Sequence, residues 1–171
     1  VALAAPQRVL SLHSIMSSSG ARGLPSARPE VLRALFSRPM GSGLDPVISH
    51  YVKLFGVIGS PGFATDQALL RERIADGVRR SYHPQGTLRQ MLAVAADSQR
   101  ANALAQLHAP ALVLHGMADP LVPFANGEDT ARRIPGARLV GIEGMGHDLP
   151  PGVVQRLLQE IIPFIHHVQH T

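Results

Sequence analysis

Two residues of this chain pair a chemically useful side chain with an equivalent position. Asp119 lies in G-M-A-D-P (Gly116–Pro120), four residues beyond the apolar run A-L-V-L-H (Ala111–His115). His147 lies in G-M-G-H-D-L (Gly144–Leu149), five residues beyond a second run, R-L-V-G-I (Arg138–Ile142). A carboxylate bonded to one ring nitrogen fixes the imidazole tautomer and stabilises the imidazolium, which leaves the other nitrogen to act as a base. The pair reads as an acid and a base, provided that both loops open on one edge of the fold.

The surrounding elements are expected to provide that edge. A run as uniformly apolar as A-L-V-L-H belongs to a strand covered on both faces, as in a parallel sheet. Between the two runs Asn126 can cap a helix reaching about Ile134, and Pro135-Gly136 ends it. Strand, helix, strand is a crossover unit, so both strands point the same way and their carboxyl ends share the rim where open α/β sheets bind ligands. Neighbouring strands lie about 4.8 Å apart, within reach of an Asp119–His147 bond. An amphipathic helix over 153–168, through Val153, Leu157, Leu158, Ile161 and Ile162, completes the chain despite Pro163.

Upstream, residues 1–5 read as the last turn of a helix, and R-V-L-S-L-H-S-I-M (Arg8–Met16) reads as a strand ended by Ser17–Gly20. From Gly20 to about His108 the pattern is helical, with no strand. Ser26 with Pro29 and Glu30 opens a helix through Phe36, and Gly41-Ser42-Gly43 is a joint. Thr65 can cap a helix with Leu69, Leu70, Ile74 and Val78 on one face, and Thr87 another with Leu88, Met91, Leu92 and Ala95.

Composition narrows the function classes. At 171 residues the chain has room for one core, and 45% apolar with 16% charged residues is the balance of a folded domain. The net charge is +4, but the Arg residues are scattered among acidic ones and aromatics are only 4%, which argues against nucleic acid as a partner. Cysteine is absent, which excludes disulfides, a Cys-based zinc site and a thiol nucleophile. No apolar run approaches the roughly 18 to 20 residues that cross a bilayer, so no membrane partner is expected.

The remaining polar residues have less specific readings. A dinucleotide fingerprint would need glycine or alanine where Leu149 stands, and Pro150-Pro151 intervene before the helix; the glycines instead let the backbone turn and present His147. His115, ending a buried strand, reads as a hydrogen-bonded core residue. His166, His167 and His170 have helical spacing that could bind a metal, but they read as the surface of a terminal helix. Ser17, Ser18 and Ser19 read as loop-lining hydroxyls, and Asp148 as a turn carboxylate. Val122 and Met145 flank the two loops and are expected to line a substrate pocket. The two stripes at 69–78 and 88–95 are expected to pack within the helical region.

The stretch P-A-L-V-L-H-G-M-A-D-P-L-V-P (Pro110–Pro123), followed by I-P-G-A-R-L-V-G-I-E-G-M-G-H-D-L-P (Ile134–Pro150), resembles the C-terminal part of the α/β-hydrolase superfamily, especially esterases similar to aclacinomycin methylesterase. The resemblance is strong over 109–150. It implies an α/β fold, the C-terminal part of a doubly wound, mostly parallel sheet with a helical cap inserted. Residues 1–20 would be the end of the nucleophile helix and the next core strand, 21–108 the cap, and 109–171 the core carrying both loops. Asp119 would be the acid and His147 the base of a Ser-Asp-His triad, acting on a small-molecule ester without a cofactor.

One departure from that pattern is informative. The family's serine sits in a G-x-S-x-G elbow, and none occurs here; I-G-S-P-G (Ile58–Gly62) has Ile where the first glycine belongs. The nucleophile and oxyanion hole are therefore expected in an N-terminal half of the same enzyme, outside these residues, and the fragment alone is expected to be inactive. An Asp nucleophile would instead make the enzyme a dehalogenase or epoxide hydrolase. From a different class, the chain could be a non-catalytic module holding a small apolar ligand between sheet edge and cap.

Overall fold

The computed structural model describes residues 1–97 and 100–170. Its strands are β1 (Leu12–Ile15), β2 (Ala111–Gly116) and β3 (Arg138–Ile142), and its helices are α1 (Pro29–Phe36), α2 (Leu44–Ile58), α3 (Gln67–Arg80), α4 (Pro84–Ala96), α5 (Arg100–Ala103), α6 (Ala125–Arg133) and α7 (Pro151–Gln169). The strands form one parallel sheet in the order β1-β2-β3, with Leu114 opposite both Ile15 and Val140.

Every residue of the central strand β2 is buried, because each face has its own cover. Alternate side chains point to opposite faces. Leu112 and Leu114 pack with Ile142, Met145, Val153 and Leu157, which places α7 on one face. Ala111 packs on the other with Leu104, Leu107 and Ile134. Sealing Leu112 and Leu114 from water stabilises the fold by about 1.5–3 kcal/mol each. Pro151 opens α7 at its first turn, where a missing N–H costs nothing, and the helix runs on through Pro163.

Between β1 and β2 the described residues are helical, without a strand. The α2–α3 pair closes over Val47, Ile48, Ala75 and Val78. Val31, Leu54 and Ile58 of α1 and α2 pack near Leu121, which seats this layer on the loop beyond β2.

Local details differ from the sequence expectations. Residues 1–5 make a single turn closed by Ala5 N–H to the Val1 carbonyl at 2.8 Å, and Pro6–Arg8 is a 3-10 turn, so the strand begins only at Leu12. Arg28, not Ser26, precedes α1, and it makes no side-chain cap. Asp66, not Thr65, caps α3: its carboxylate accepts from the amides of Ala68 and Leu69. Thr87 lies inside α4, which starts at Pro84. Asn126 lies inside α6; its amide donates to the carbonyls of Pro25 and Pro123 at 3.0 Å each. The 88–95 stripe does not pack inside: Leu88 and Leu92 are exposed.

The serine loop after β1 is structural. Ser18 donates to the Asn126 side chain at 2.8 Å and Ser19 to Asp129 at 2.5 Å, which ties the loop to α6. Burial alone would raise the pKa of Asp129. Hydrogen bonds from Arg133 and Ser19, with the charges of Arg133 and Arg132, outweigh that and hold it below 3.8. A depressed carboxylate stabilises the fold above its unfolded pKa, and the contribution disappears as pH falls through the folded value. Asp129→Asn is therefore expected to destabilise by about 1–3 kcal/mol near pH 7. Denaturant unfolding at lower pH should find the gap to wild type closing below about pH 4; a gap independent of pH would contradict this account.

Candidate active site

The carboxyl ends of the three strands open on one rim, and there the Asp119 and His147 side chains meet. His147 Nδ1 lies 2.7 Å from Asp119 Oδ2. A carboxylate oxygen there accepts, so Nδ1 carries the proton and Nε2 is left with its lone pair. Nε2 makes no hydrogen bond among the described residues.

The two oxygens of Asp119 divide their partners. While Oδ2 faces the imidazole, Oδ1 accepts from the amides of Leu121 at 2.9 Å and Val122 at 2.8 Å. The turn reading of an Asp before a proline and the triad-like reading therefore describe the same side chain, one oxygen each. The Asp119 side chain is fully buried, whereas the His147 side chain is 24% exposed. That gradient shields the pair from competing water and leaves the imidazole accessible.

His115 is fully buried beneath them, and its Nε2 donates to the Val122 carbonyl at 2.8 Å. It stacks edge to face on Phe124, as a hydrogen-bonded core residue should. Gly127 of α6 approaches it so closely that a Cβ there would stand 2.6 Å from His115 Nδ1.

His147 forms part of the wall of a cavity of about 670 Å³. Tyr51 and Phe55 of α2 and Leu69, Leu70, Ile74 and Val78 of α3 supply much of the lining, with Met16 at the strand rim and Tyr82, His83 and Thr87 beyond α3. The 69–78 stripe thus serves the cavity as well as the helix pair. Burial, and then the neighbouring Tyr82, push the Tyr51 phenol above its ordinary pKa. It stays neutral at physiological pH and offers a donor beside the apolar side chains of α3, in a wall that also carries Asp66 and Arg73.

Two residues expected in the pocket lie elsewhere. Met145 is fully buried in the core with Leu112 and Leu114, because the turn at Gly144, with φ of +70°, sends the next side chain inward. Val122 does not line the cavity; its amide and carbonyl hold Asp119 and His115. Among the described residues no group of three or more His, Asp or Glu could hold a metal. Sequence reasoning missed Met16, which follows β1 with φ of +48°, a region non-glycine residues rarely occupy. No local signal in S-I-M-S announces it. Tyr51 and Phe55 were also missed, because the apolar pattern of α2 does not distinguish a cavity wall from a core face.

Known proteins resemble this chain in sequence and in fold. The α/β-hydrolase family described as TAP-like protein matches residues 87–155, a span that contains both Asp119 and His147. The chain is 31% identical over 140 residues to rhodomycin D methylesterase DauP of Streptomyces sp. (strain C5), which covers 81% of this chain and 46% of that protein. To rhodomycin D methylesterase DnrP of Streptomyces peucetius it is 29% identical, over 94% of this chain and 60% of that protein. The chain thus spans about half the length of these curated relatives. Among solved structures, the meta-cleavage product hydrolase of Pseudomonas fluorescens IP01 superposes with a TM-score of 0.66 at 20% identity, covering 97% of this chain and 59% of that one. The non-heme bromoperoxidase BpoC of Mycobacterium tuberculosis H37Rv gives 0.68 at 16%, covering 98% and 61%. A parallel sheet layered by helices, with these matches over its loops, gives this chain the α/β-hydrolase fold.

Proposed function

We propose that this chain supplies the acid and base of a Ser-Asp-His triad in an enzyme that hydrolyses a carboxylic ester. The observation that carries the reading is the 2.7 Å bond from His147 Nδ1 to the buried Asp119 carboxylate, with the imidazole on the wall of a mostly apolar cavity. In this reading residues 1–20 and 109–171 belong to the catalytic core and 21–108 form the cap that roofs the substrate. The serine comes from an N-terminal segment outside these 171 residues, since no G-x-S-x-G occurs within them.

The serine hydroxyl attacks the ester carbonyl while His147 Nε2 takes its proton, and Asp119 stabilises the resulting imidazolium. His147 then returns the proton to the departing alkoxide, which leaves as the alcohol. Water attacks the acyl-enzyme with His147 again as base, releasing the acid. The similarity to two methylesterases and the volume of the cavity favour a methyl ester of a bulky, mostly apolar acid.

The test is covalent labelling of the intact enzyme by a fluorophosphonate during turnover of such an ester. We expect stoichiometric inactivation, with the added mass on a serine. Full activity with no adduct would defeat the serine mechanism and point to a carboxylate nucleophile.

A further inference from the structure

The I-G-S-P-G segment fails as a nucleophile elbow, yet the fold presses it directly against the loop that carries His147. Four hydrogen bonds join them. The Ile58 carbonyl accepts from the His147 amide at 2.7 Å, and the Gly62 amide donates to the Gly144 carbonyl at 2.9 Å. Between these, the Ser60 hydroxyl accepts from the Gly146 amide at 2.9 Å and donates to Asp148 Oδ1 at 2.5 Å. Ser60 and Asp148 are both buried.

The two backbones touch, and glycine is what permits it. A Cβ on Gly146 would stand 2.2 Å from the Gly59 carbonyl oxygen, and one on Gly62 would stand 2.7 Å from the Gly144 Cα. Gly116, at the end of β2, approaches the same loop from the other side, where its Cβ would stand 2.3 Å from the Met145 carbonyl oxygen. The base loop is thus held between the acid loop and the end of α2, the helix that supplies Tyr51 and Phe55 to the cavity.

We propose that Ser60 is a positioning residue for His147: one hydroxyl spans Gly146 and Asp148, the neighbours on either side of the base, and ties them to the cap. This rests on the reading of His147 as the general base. Ser60 is the only side chain in this clamp whose removal cancels two of its hydrogen bonds at once. A base displaced by about 1 Å can lose about 100-fold in rate, because proton transfer requires close alignment.

The experiment uses the intact enzyme with a methyl ester. It compares Ser60→Ala, Ser60→Thr and Asp148→Ala for kcat, for KM and for the low-field proton resonance of the Nδ1–H shared by His147 and Asp119. Ser60→Ala should lower kcat by about 10- to 100-fold with KM within about two-fold. It should also broaden the low-field resonance, and Ser60→Thr, which keeps the hydroxyl, should recover both. A folded Ser60→Ala protein with wild-type kcat and an unaltered resonance overturns the proposal. If Ser60→Ala does not fold, Asp148→Ala decides. It leaves the Ser60–Gly146 bond in place and should still lower kcat and broaden the resonance, and no change in either overturns the proposal. His147→Ala in the same assay separates the two levels. Retained activity there defeats the triad reading itself, whereas loss there with a silent Ser60→Ala defeats only the clamp.

Discussion

Replacing His147 by Ala in the intact enzyme is expected to lower kcat for an ester by about 10⁴- to 10⁶-fold, with KM nearly unchanged. The ring sits on the cavity wall and makes one hydrogen bond through Nδ1, so truncation removes the proton acceptor without removing a major packing contact. The histidine buried beneath the pair cannot take over. His115 is sealed beneath the loop with Nε2 committed to the Val122 carbonyl. Steady-state kinetics on protein with an unchanged melting profile provides the measurement. Activity within about ten-fold of wild type would remove His147 from the mechanism.

The second large effect is expected for Asp119→Asn, and here the structure dictates how the new side chain must sit. Two backbone amides, from Leu121 and Val122, point at the position of Oδ1 and require an acceptor there. Asparagine meets that demand only with its carbonyl oxygen, which turns its NH₂ toward His147. A donor facing Nδ1 moves the ring proton to Nε2, the tautomer that cannot accept from a nucleophile. We expect kcat to fall by about 10³- to 10⁴-fold while the loop keeps its two amide bonds and the fold its stability. Asp119→Ala, by contrast, orphans both part-buried amides and should also destabilise, by about 1 kcal/mol. Equal kcat in wild type and Asp119→Asn would mean that the carboxylate serves only its turn.

Much of this architecture was legible because the chain announces it locally. A-L-V-L-H is apolar on both faces and became the central, wholly buried strand. R-L-V-G-I became its parallel neighbour, and the loop glycines and prolines marked where the chain leaves the sheet. The helix caps were less legible. Thr65 and Asp66 are adjacent, and both can cap; only the backbone angles select Asp66, whose side chain then reaches the amides of Ala68 and Leu69. Asn126 looks like a cap for the same reason, but tertiary partners at Pro25 and Ser18 take its side chain. Met145 was misplaced because a loop residue has no periodicity from which to read its direction.

By itself the sequence determined that two parallel strands end on one rim with an aspartate on the first loop and a histidine on the second. Spacing along the chain and apolar patterning are local properties, and they suffice for that. Only the tertiary structure decided that Asp119 spends one oxygen on its own loop and the other on His147. It alone placed Met145 inward, set Tyr51 and Phe55 in the wall of the cavity that His147 lines, and brought Ser60 against Gly146 and Asp148. Those contacts join residues far apart in the chain and depend on close backbone approach, which no window of neighbouring residues encodes.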